Sequence, residues 1–172
     1  MILLLNGAFG IGKTTVARSL VARLPRAVLF DPELIGVALQ RTARLAGRRV
    51  DDFQDLPSWR WLTVAGLRAT RLVFPNVVVP MAFSNAACLE EIRRGLARFE
   101  PQVSHFCLVA PAELVHERLR RRGGAGEWEY RRASECCLAH QRAEFAIQIS
   151  ADGRRPEEIA DELLRALPAR HV

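Results

Sequence analysis

The segment NGAFGIGKT (residues 6–14) decides the fold, because it stands between a short apolar run and a stretch of helical periodicity. It matches the pattern G-x-x-x-x-G-K-[ST] through Gly7, Gly12, Lys13 and Thr14. Glycines let such a loop wrap so that successive backbone N–H groups point inward, and the helix that follows adds the positive end of its dipole. The segment therefore predicts a cradle for the phosphates of a nucleotide.

Lys13 is the only lysine among the 25 Lys and Arg residues of the chain. A compact ammonium on a flexible stem suits this loop better than a broad, planar guanidinium does. We expect Lys13 to reach the β and γ phosphates of ATP and the Thr14 hydroxyl to ligate Mg²⁺. The predicted cofactor-binding residues of the loop are Gly7, Ala8, Phe9, Gly10, Ile11, Gly12, Lys13, Thr14 and Thr15.

Length and composition predict one globular domain over residues 1–172, with 49% hydrophobic and 26% charged residues. The net charge of +6 indicates an anion-binding surface, which suits nucleic acid, a membrane surface or polyphosphate ligands equally well. Prolines interrupt the longest apolar stretch, 72–83, so no membrane span is expected. The four cysteines lack the spacing of a zinc site, which favours reduced thiols and a cytoplasmic location.

Apolar runs alternate with amphipathic segments along the chain, which is typical of repeated βα units and a parallel sheet. The strand candidates are 2–6, 27–31, 76–82, 103–109 and 145–150. Helical stretches at 33–46 and 57–74 make a longer insertion than a simple crossover needs, so we predict a substrate-side helical insertion over 33–74. Glycines at 123, 124 and 126 interrupt a basic helical region, which predicts a hinged lid over 118–142.

The remaining motifs favour phosphotransfer over switching. An N-K-x-D guanine-binding tetrad is excluded because Lys13 is the only lysine, and the third strand ends in VVVPMAF without an acid. Asp31, at the end of the second strand, is the best replacement, because the carboxyl ends of parallel strands open onto one crevice. It could act as a general base or hold Mg²⁺ through water. The alternative is an Asp that caps the next helix.

The predicted lid carries arginines that suit a phosphate-transfer site. Arg118 and Arg122 lie four residues apart on one helical face, and Arg131 and Arg132 follow the glycines. A mobile arginine lid would neutralise phosphate charge and exclude water. We predict Lys13, Asp31, Arg122 and Arg131 as catalytic residues.

The predicted substrate-binding residues are Asp31, Phe53, Trp59, Arg60 and Met81. Trp59 could stack on a sugar or base, although paired tryptophans in a helix more often belong to the core. Arg60 could meet an anionic substrate or equally face solvent.

NGAFGIGKT, FDPELIG, DDFQDLPSWR, VVVPMAF and ERLRRR, in this order, resemble the tunicamycin resistance protein family of P-loop proteins, which are akin to small-molecule and nucleotide kinases. The resemblance implies a three-layer αβα P-loop NTPase fold, with a five-stranded parallel sheet of order 2-3-1-4-5 and a helical lid. It also implies that Arg118 lies against adenine and Arg122 on the phosphates. ISADGRRPEE resembles a late adenine-binding loop, which places Asp152 and Gly153 near the base.

These observations lead to an ATP- and Mg²⁺-dependent kinase acting on a hydroxyl of a small molecule. The family name implies a nucleoside-like antibiotic as the acceptor. One alternative is a nucleotide-dependent binding protein that sequesters its ligand without chemistry. Another is a nucleic-acid end kinase, which is less favoured because aromatics are only 7% and do not interleave with the arginine cluster. The sequence leaves oligomeric state and peripheral membrane contact open.

Overall fold

The computed structural model describes residues 1–145 and 147–168. The strands are β1 (Ile2–Gly7), β2 (Ala27–Leu29), β3 (Asn76–Met81), β4 (Val103–Val109) and β5 (Ile147–Ser150). The α-helices are α1 (Lys13–Arg23), α2 (Glu33–Leu45), α3 (Pro57–Val73), α4 (Ala86–Ala97), α5 (Ala112–Arg122), α6 (Glu127–Ala139) and α7 (Pro156–Ala166). Short 3₁₀ turns occupy Phe53–Asp55 and Ala143–Phe145.

The five strands form one parallel sheet of order β2-β3-β1-β4-β5, which confirms the predicted fold class and strand order. Three strands are shorter than predicted, and β3 ends only one residue early, at Met81. β2 ends at Leu29, and after a last hydrogen bond from the Phe30 N–H to the Val78 carbonyl the chain turns into α2. β5 is described from Ile147, and Phe145, which was predicted to begin it, ends a 3₁₀ turn instead; residue 146 lies outside the described residues.

The central strand β1 is buried on both faces, which explains its uninterrupted apolar run. Successive side chains of a strand point to opposite faces. Leu3 and Leu5 accordingly pack into a core with residues of α1, α5, α6 and α7. Ile2 and Leu4 pack into a second core with residues of α3 and α4. Helices on both faces of the sheet complete the three layers.

The predicted insertion at 33–74 contains α2, the first 3₁₀ turn and α3. The predicted lid at 118–142 contains the end of α5, a glycine break and α6. Gly123 and Gly124 adopt φ of 71° and 72°, a conformation that glycine enters without strain and that ends α5. The boundaries of the domain, insertion and lid stay predictions, and residues 169–172 of the domain lie outside the described residues. Within the described ranges, no helix combines the length and apolarity needed to cross a membrane.

Candidate nucleotide and phosphate site

The loop between β1 and α1 has the backbone of a phosphate cradle. Gly10 and Gly12 adopt φ of 82° and 107°, a region that side chains disfavour. At Gly10 a Cβ atom would also lie 2.7 Å from Leu119 Cγ of α5, whereas at Gly12 it would meet nothing within 4 Å. Glycine at position 10 therefore allows close packing against α5, and glycine at position 12 leaves open space above the start of α1.

The loop offers unpaired donors at the positive end of a helix. The N–H groups of Gly10, Gly12, Lys13 and Thr14 donate to no carbonyl or side chain of the described residues. Such groups at a helix N-terminus attract anions, and phosphate oxygens are acceptors of matching charge and geometry. The cradle therefore fits the phosphates of a nucleotide, with the exposed Thr14 side chain beside it for a metal ion.

The Lys13 side chain lies inside the loop. The residue is only 8% exposed, and its Nζ donates to the Ala8 carbonyl at 3.0 Å and lies 5.4 Å from the centroid of the Phe9 ring. Burial lowers the pKa of the Lys13 ammonium, and the Glu33 carboxylate opposes that shift. Phosphate charge next to Nζ would stabilise the protonated form further.

A cavity of about 380 Å³ opens above the loop. Its walls bring together the loop, the end of β2 and the basic end of α5. The residues that line it are Phe9, Gly10, Gly12, Lys13, Thr14, Thr15, Arg18, Asp31, Glu33, Pro80, Arg118 and Arg122. Three of the four predicted catalytic residues, Lys13, Asp31 and Arg122, therefore share one cavity.

Asp31 contacts the start of α2 and also lines the cavity. Its Oδ1 accepts the backbone N–H of Glu33 at 3.0 Å, so it caps the start of α2. Asp31 also lines the cavity, and its Oδ2 has no hydrogen-bond partner among the described residues, so that this oxygen is available to a ligand. The capping contact of Asp31 is therefore observed, and its role as a base or a Mg²⁺ ligand stays a prediction.

Glu33 lines the same cavity, although sequence reasoning did not select it. Burial raises the pKa of its carboxyl, Lys13 opposes that shift, and Asp31 adds to it. The signal was present in the sequence, because Asp31 and Glu33 are two acids separated by one residue directly after a strand. The cavity therefore holds two carboxylates close to one buried ammonium.

Arg118 joins the phosphate loop to the loop after β5. Its Nη1 donates to the Ile11 carbonyl at 2.7 Å and its Nη2 to the Ala151 carbonyl at 3.0 Å. Asp152 and Gly153 follow directly in an exposed turn, where Gly153 has φ of 63°. The segment assigned to adenine thus lies next to the cavity through Arg118, although Asp152 and Gly153 themselves do not line it.

Arg131 lies outside the phosphate cavity, contrary to the expectation from sequence. Its side chain is 68% exposed and lies 4.0 Å from Glu135, beside a different cavity. The neighbouring Arg132 points inward instead, with Nη2 2.9 Å from Asp52 Oδ2 and Nη1 donating to Ser84 Oγ at 3.0 Å. The inward arginine of α6 is therefore Arg132, which connects the lid to the DDFQ segment.

Asp31 lines the phosphate cavity, but the other four predicted substrate-binding residues do not. Trp59 is 1% exposed, packs between Phe53 and Phe83, and donates its indole N–H to the Pro32 carbonyl at 2.8 Å. Phe53 and Met81 are buried in the same core. Arg60 pairs with Glu91 at 2.6 Å on another surface. Phe53, Trp59 and Met81 therefore support the site by packing, and Arg60 lies away from it.

A buried polar network fixes the strand ends beneath the cavity. The Asn6 side chain exchanges two hydrogen bonds with the backbone of Phe83, at 2.8 and 3.1 Å. His140, just after α6, donates from Nε2 to the Phe83 carbonyl at 2.6 Å. Burial lowers the pKa of His140 to about 4, so the ring is neutral at pH 7. Sequence reasoning missed this network, because its partners are far apart in the chain.

Comparisons with known proteins agree with this geometry. A family model described as an AAA domain matches residues 2–147. The solved tunicamycin resistance protein of Deinococcus radiodurans is 27% identical, with a TM-score of 0.77 over 95% of this chain and 93% of that one. Comparison with curated protein sequences finds no match.

Two kinases share the fold at lower identity. A gluconokinase from Sinorhizobium meliloti 1021 is 14% identical, with a TM-score of 0.64 over 95% of this chain and 89% of that one. A shikimate kinase from Acinetobacter baumannii, solved with shikimate, is 18% identical, with a TM-score of 0.61 over 95% of this chain and 90% of that one. The resemblance predicted from the sequence is confirmed, and the chain belongs to the AAA domain family, with a P-loop kinase-like fold.

Proposed function

We propose that the protein is an ATP- and Mg²⁺-dependent phosphotransferase acting on a hydroxyl group of a small molecule. One observation carries the proposal: Lys13, Asp31 and Arg122 line a single cavity of about 380 Å³ above the phosphate loop. A phosphoryl-transfer site needs cations around the transferred group and a carboxylate near the attacking hydroxyl. The cavity contains both.

The roles follow from position. The free N–H groups of the loop would bind the ATP phosphates, Thr14 Oγ1 would hold Mg²⁺, and Lys13 and Arg122 would stabilise charge on the γ phosphate. The metal ion would supply further neutralisation of phosphate charge. Arg118 holds the loop and the segment after β5 together, which orients the nucleoside end of ATP.

Asp31 is the proposed base. The acceptor hydroxyl oxygen forms a bond to the γ phosphorus, the bond from that phosphorus to the β–γ bridging oxygen breaks, and the hydroxyl proton passes to Asp31 Oδ2. Oδ1 stays occupied by the Glu33 N–H, which fixes the orientation of the carboxylate. ADP and a phosphorylated acceptor leave the site.

The 27% identity to a tunicamycin resistance protein supports a nucleoside or nucleoside-like antibiotic as the acceptor class. The two kinases of the same fold support transfer to a hydroxyl of a small polar molecule. We place the activity in the cytoplasm, where ATP is available and the free thiols stay reduced.

Mass spectrometry tests the proposal. A panel of nucleosides, nucleoside antibiotics and sugars is incubated with the protein, ATP and Mg²⁺, with Lys13→Ala as the blank. We expect one class of acceptor to gain a phosphate, and Asp31→Asn to slow that reaction without weakening ATP binding. Stoichiometric binding of a ligand with no phosphorylated product would favour sequestration instead. Unchanged turnover in Asp31→Asn would show that Asp31 is not the base. The variant Glu33→Gln would then test whether Glu33 is the base instead.

A further inference from the structure

Three side chains of α6 and its C-cap each contact one of the three residues that follow β3. The contacts are Cys136 Sγ to the Ala82 carbonyl at 3.8 Å, His140 Nε2 to the Phe83 carbonyl at 2.6 Å and Arg132 Nη1 to Ser84 Oγ at 3.0 Å. Positions 132, 136 and 140 are four residues apart, which places them on one face of the helix. That face therefore binds the segment 82–84, where β3 ends without an acid.

Packing alone does not explain the histidine at the end of this face. A carbonyl oxygen only accepts hydrogen bonds, so Nε2 of His140 carries a proton and donates to Phe83. The residue is only 1% exposed, and its Nδ1 has no hydrogen-bond partner among the described residues. An apolar ring would fill the same space without burying an unpaired nitrogen. The contact that distinguishes His140 from such a ring is the hydrogen bond to Phe83.

Phe83 passes this contact on to the strand that leads into the phosphate loop. Its carbonyl also accepts Asn6 Nδ2 at 3.1 Å, and its N–H donates to Asn6 Oδ1 at 2.8 Å. Asn6 is fully buried and directly precedes Gly7, the first residue of the phosphate-binding pattern. Buried polar groups stabilise a fold only when their hydrogen bonds are made. A chain of buried hydrogen bonds therefore runs from the end of α6 to the start of the phosphate loop.

The phosphate loop has two competing arrangements of hydrogen bonds. Lys13 Nζ donates to the Ala8 carbonyl at 3.0 Å, and a bound phosphate would compete with that carbonyl for the ammonium. Gly7 packs against the stem of this lysine, because an added Cβ would lie 3.2 Å from Lys13 Cγ. A shift of Asn6 and Gly7 therefore reaches Lys13 by direct contact. Coupling between two sites requires such an element with two arrangements.

We propose that His140 is a positioning residue for the phosphate loop. Through Phe83 and Asn6 it couples the position of α6 to the affinity of the loop for nucleotide phosphates. The inference rests on the nucleotide binding of the proposed function and does not require phosphate transfer. Such coupling is reciprocal, so a bound nucleotide must stabilise the end of α6 by the factor that α6 contributes to binding.

The second half of α6 is the place to measure this effect. In the described part of the chain, no residue of α6 lines the phosphate cavity. Trp128, at the start of α6, meets the Phe9 ring of the loop with the ring centroids 5.6 Å apart, so the first turn has a contact of its own. Stabilisation confined to 134–140 would therefore report on the network and not on that aromatic contact.

The test is hydrogen exchange of the intact protein, with and without a nonhydrolysable ATP analogue and Mg²⁺. The reference is the last two turns of α3, which directly precede β3 at the far end of the sheet and slow only through global stability. We expect the analogue to slow the amides of 134–140 about five-fold more than the reference, the effect of one buried hydrogen bond. Adenosine, which has no phosphate, should produce no such excess.

Three variants separate the hydrogen bond from packing. His140→Phe should abolish the excess and weaken binding of the analogue by a similar factor. His140→Gln should retain both, because its amide nitrogen is as many bonds from Cα as Nε2 is. His105→Phe is the matched control, since it makes the same exchange at a buried histidine of β4 whose ring nitrogens have no hydrogen-bond partner among the described residues.

Each other outcome has a definite meaning. Equal slowing of 134–140 and the reference in the unaltered protein, or an excess with adenosine, would overturn the proposal. An excess that persists in His140→Phe, or is lost equally in His140→Gln or in His105→Phe, would overturn the role of the hydrogen bond to Phe83. Excess slowing without any phosphorylated acceptor would support the coupling and refute phosphate transfer. A protein that does not bind the analogue would refute both.

Discussion

Lys13 provides the only side-chain ammonium in a chain that otherwise uses arginine for positive charge. The structure supplies a physical reason, because its Nζ donates to the Ala8 carbonyl at 3.0 Å beneath the Phe9 ring. A guanidinium is wider, planar and built for two-pronged contacts, and it cannot occupy that space without moving the loop. The lone lysine is therefore explained by the shape of the loop.

Replacing Lys13 by arginine keeps the charge and changes only the shape. We expect Lys13→Arg to lower the rate of phosphotransfer by about 100-fold, the effect of removing one preorganised charge contact at a transition state. The rate is measured as ADP formed in the presence of acceptor. Arg23→Lys, an exposed exchange on the same helix, should leave the rate unchanged. Wild-type rates in Lys13→Arg would show that shape does not select lysine here.

The predictability of single residues depends on how local their signal is. The motif identifies Gly12 and Lys13, because their role is set by neighbours in the chain. The sequence did not show which of Arg131 and Arg132 faces inward, although the two side chains point roughly 100° apart around α6. Their directions are fixed by the buried Ala133 and Cys136, which set the face of α6 that packs inward. That choice depends on tertiary packing, which sequence periodicity does not resolve in a short, highly charged helix.

At the scale of elements, one half-buried ion pair joins the lid to the insertion. Arg132 of α6 pairs with Asp52 at 2.9 Å, just ahead of the 3₁₀ turn of the insertion. We expect Arg132→Gln to increase hydrogen exchange of the α6 amides by about five-fold, corresponding to ~1 kcal/mol for such a pair. Arg131→Gln, one residue away and exposed, is the control. Equal exchange in the two variants would show that the pair does not hold the lid.

The insertion depends on a close approach between α2 and the 3₁₀ turn. A Cβ atom at Gly36 would lie 2.3 Å from Phe53 Cγ, so any side chain there displaces the ring from the core. We expect Gly36→Ala to lower the free energy of unfolding by about 1–3 kcal/mol, measured by urea denaturation. Ala38→Ser, on the exposed side of the same helix, should change it little. A neutral Gly36→Ala would mean that Phe53 repacks freely.

The helices and strands were largely predictable, because apolar runs and the glycines and prolines that end them are local signals in the sequence. The helix predicted at 33–46 is observed at Glu33–Leu45, and the strand predicted at 103–109 is observed at Val103–Val109. The surface that each element presents was less predictable. Trp59 and Arg60 were assigned to the substrate, yet the packing of α3 buries the first and pairs the second with Glu91.

At the scale of the whole molecule, two buried histidines make stability depend on pH. Burial lowers the pKa of His105 and of His140 from 6.5 to about 4. Above pH 6.5 both histidine rings are neutral in the folded and in the unfolded state. As the pH falls from 6.5 to 4, the unfolded chain takes up protons that the folded chain excludes, so the free energy of unfolding decreases. Each histidine contributes roughly 3 kcal/mol to that loss.

Urea denaturation at pH 7 and pH 5 measures this dependence. We expect His105→Phe to reduce the loss between the two pH values, because phenylalanine fills the site without a titrating group. Both ring nitrogens of His105 are buried without a hydrogen-bond partner among the described residues, so the substitution leaves no new unsatisfied donor or acceptor. An unchanged difference between pH 7 and pH 5 would show that His105 does not contribute.

The proposed reaction is transfer of the γ phosphate of ATP at the cavity above the phosphate loop. Phosphorus NMR of a single reaction mixture, containing the protein, ATP, Mg²⁺ and the acceptor identified by mass spectrometry, tests it most directly. We expect the γ-phosphate resonance to decline while ADP and a phosphomonoester of the acceptor rise in equal amounts, and we expect neither change with Lys13→Ala. ADP accompanied only by inorganic phosphate, or intact ATP in the presence of saturating acceptor, would contradict it.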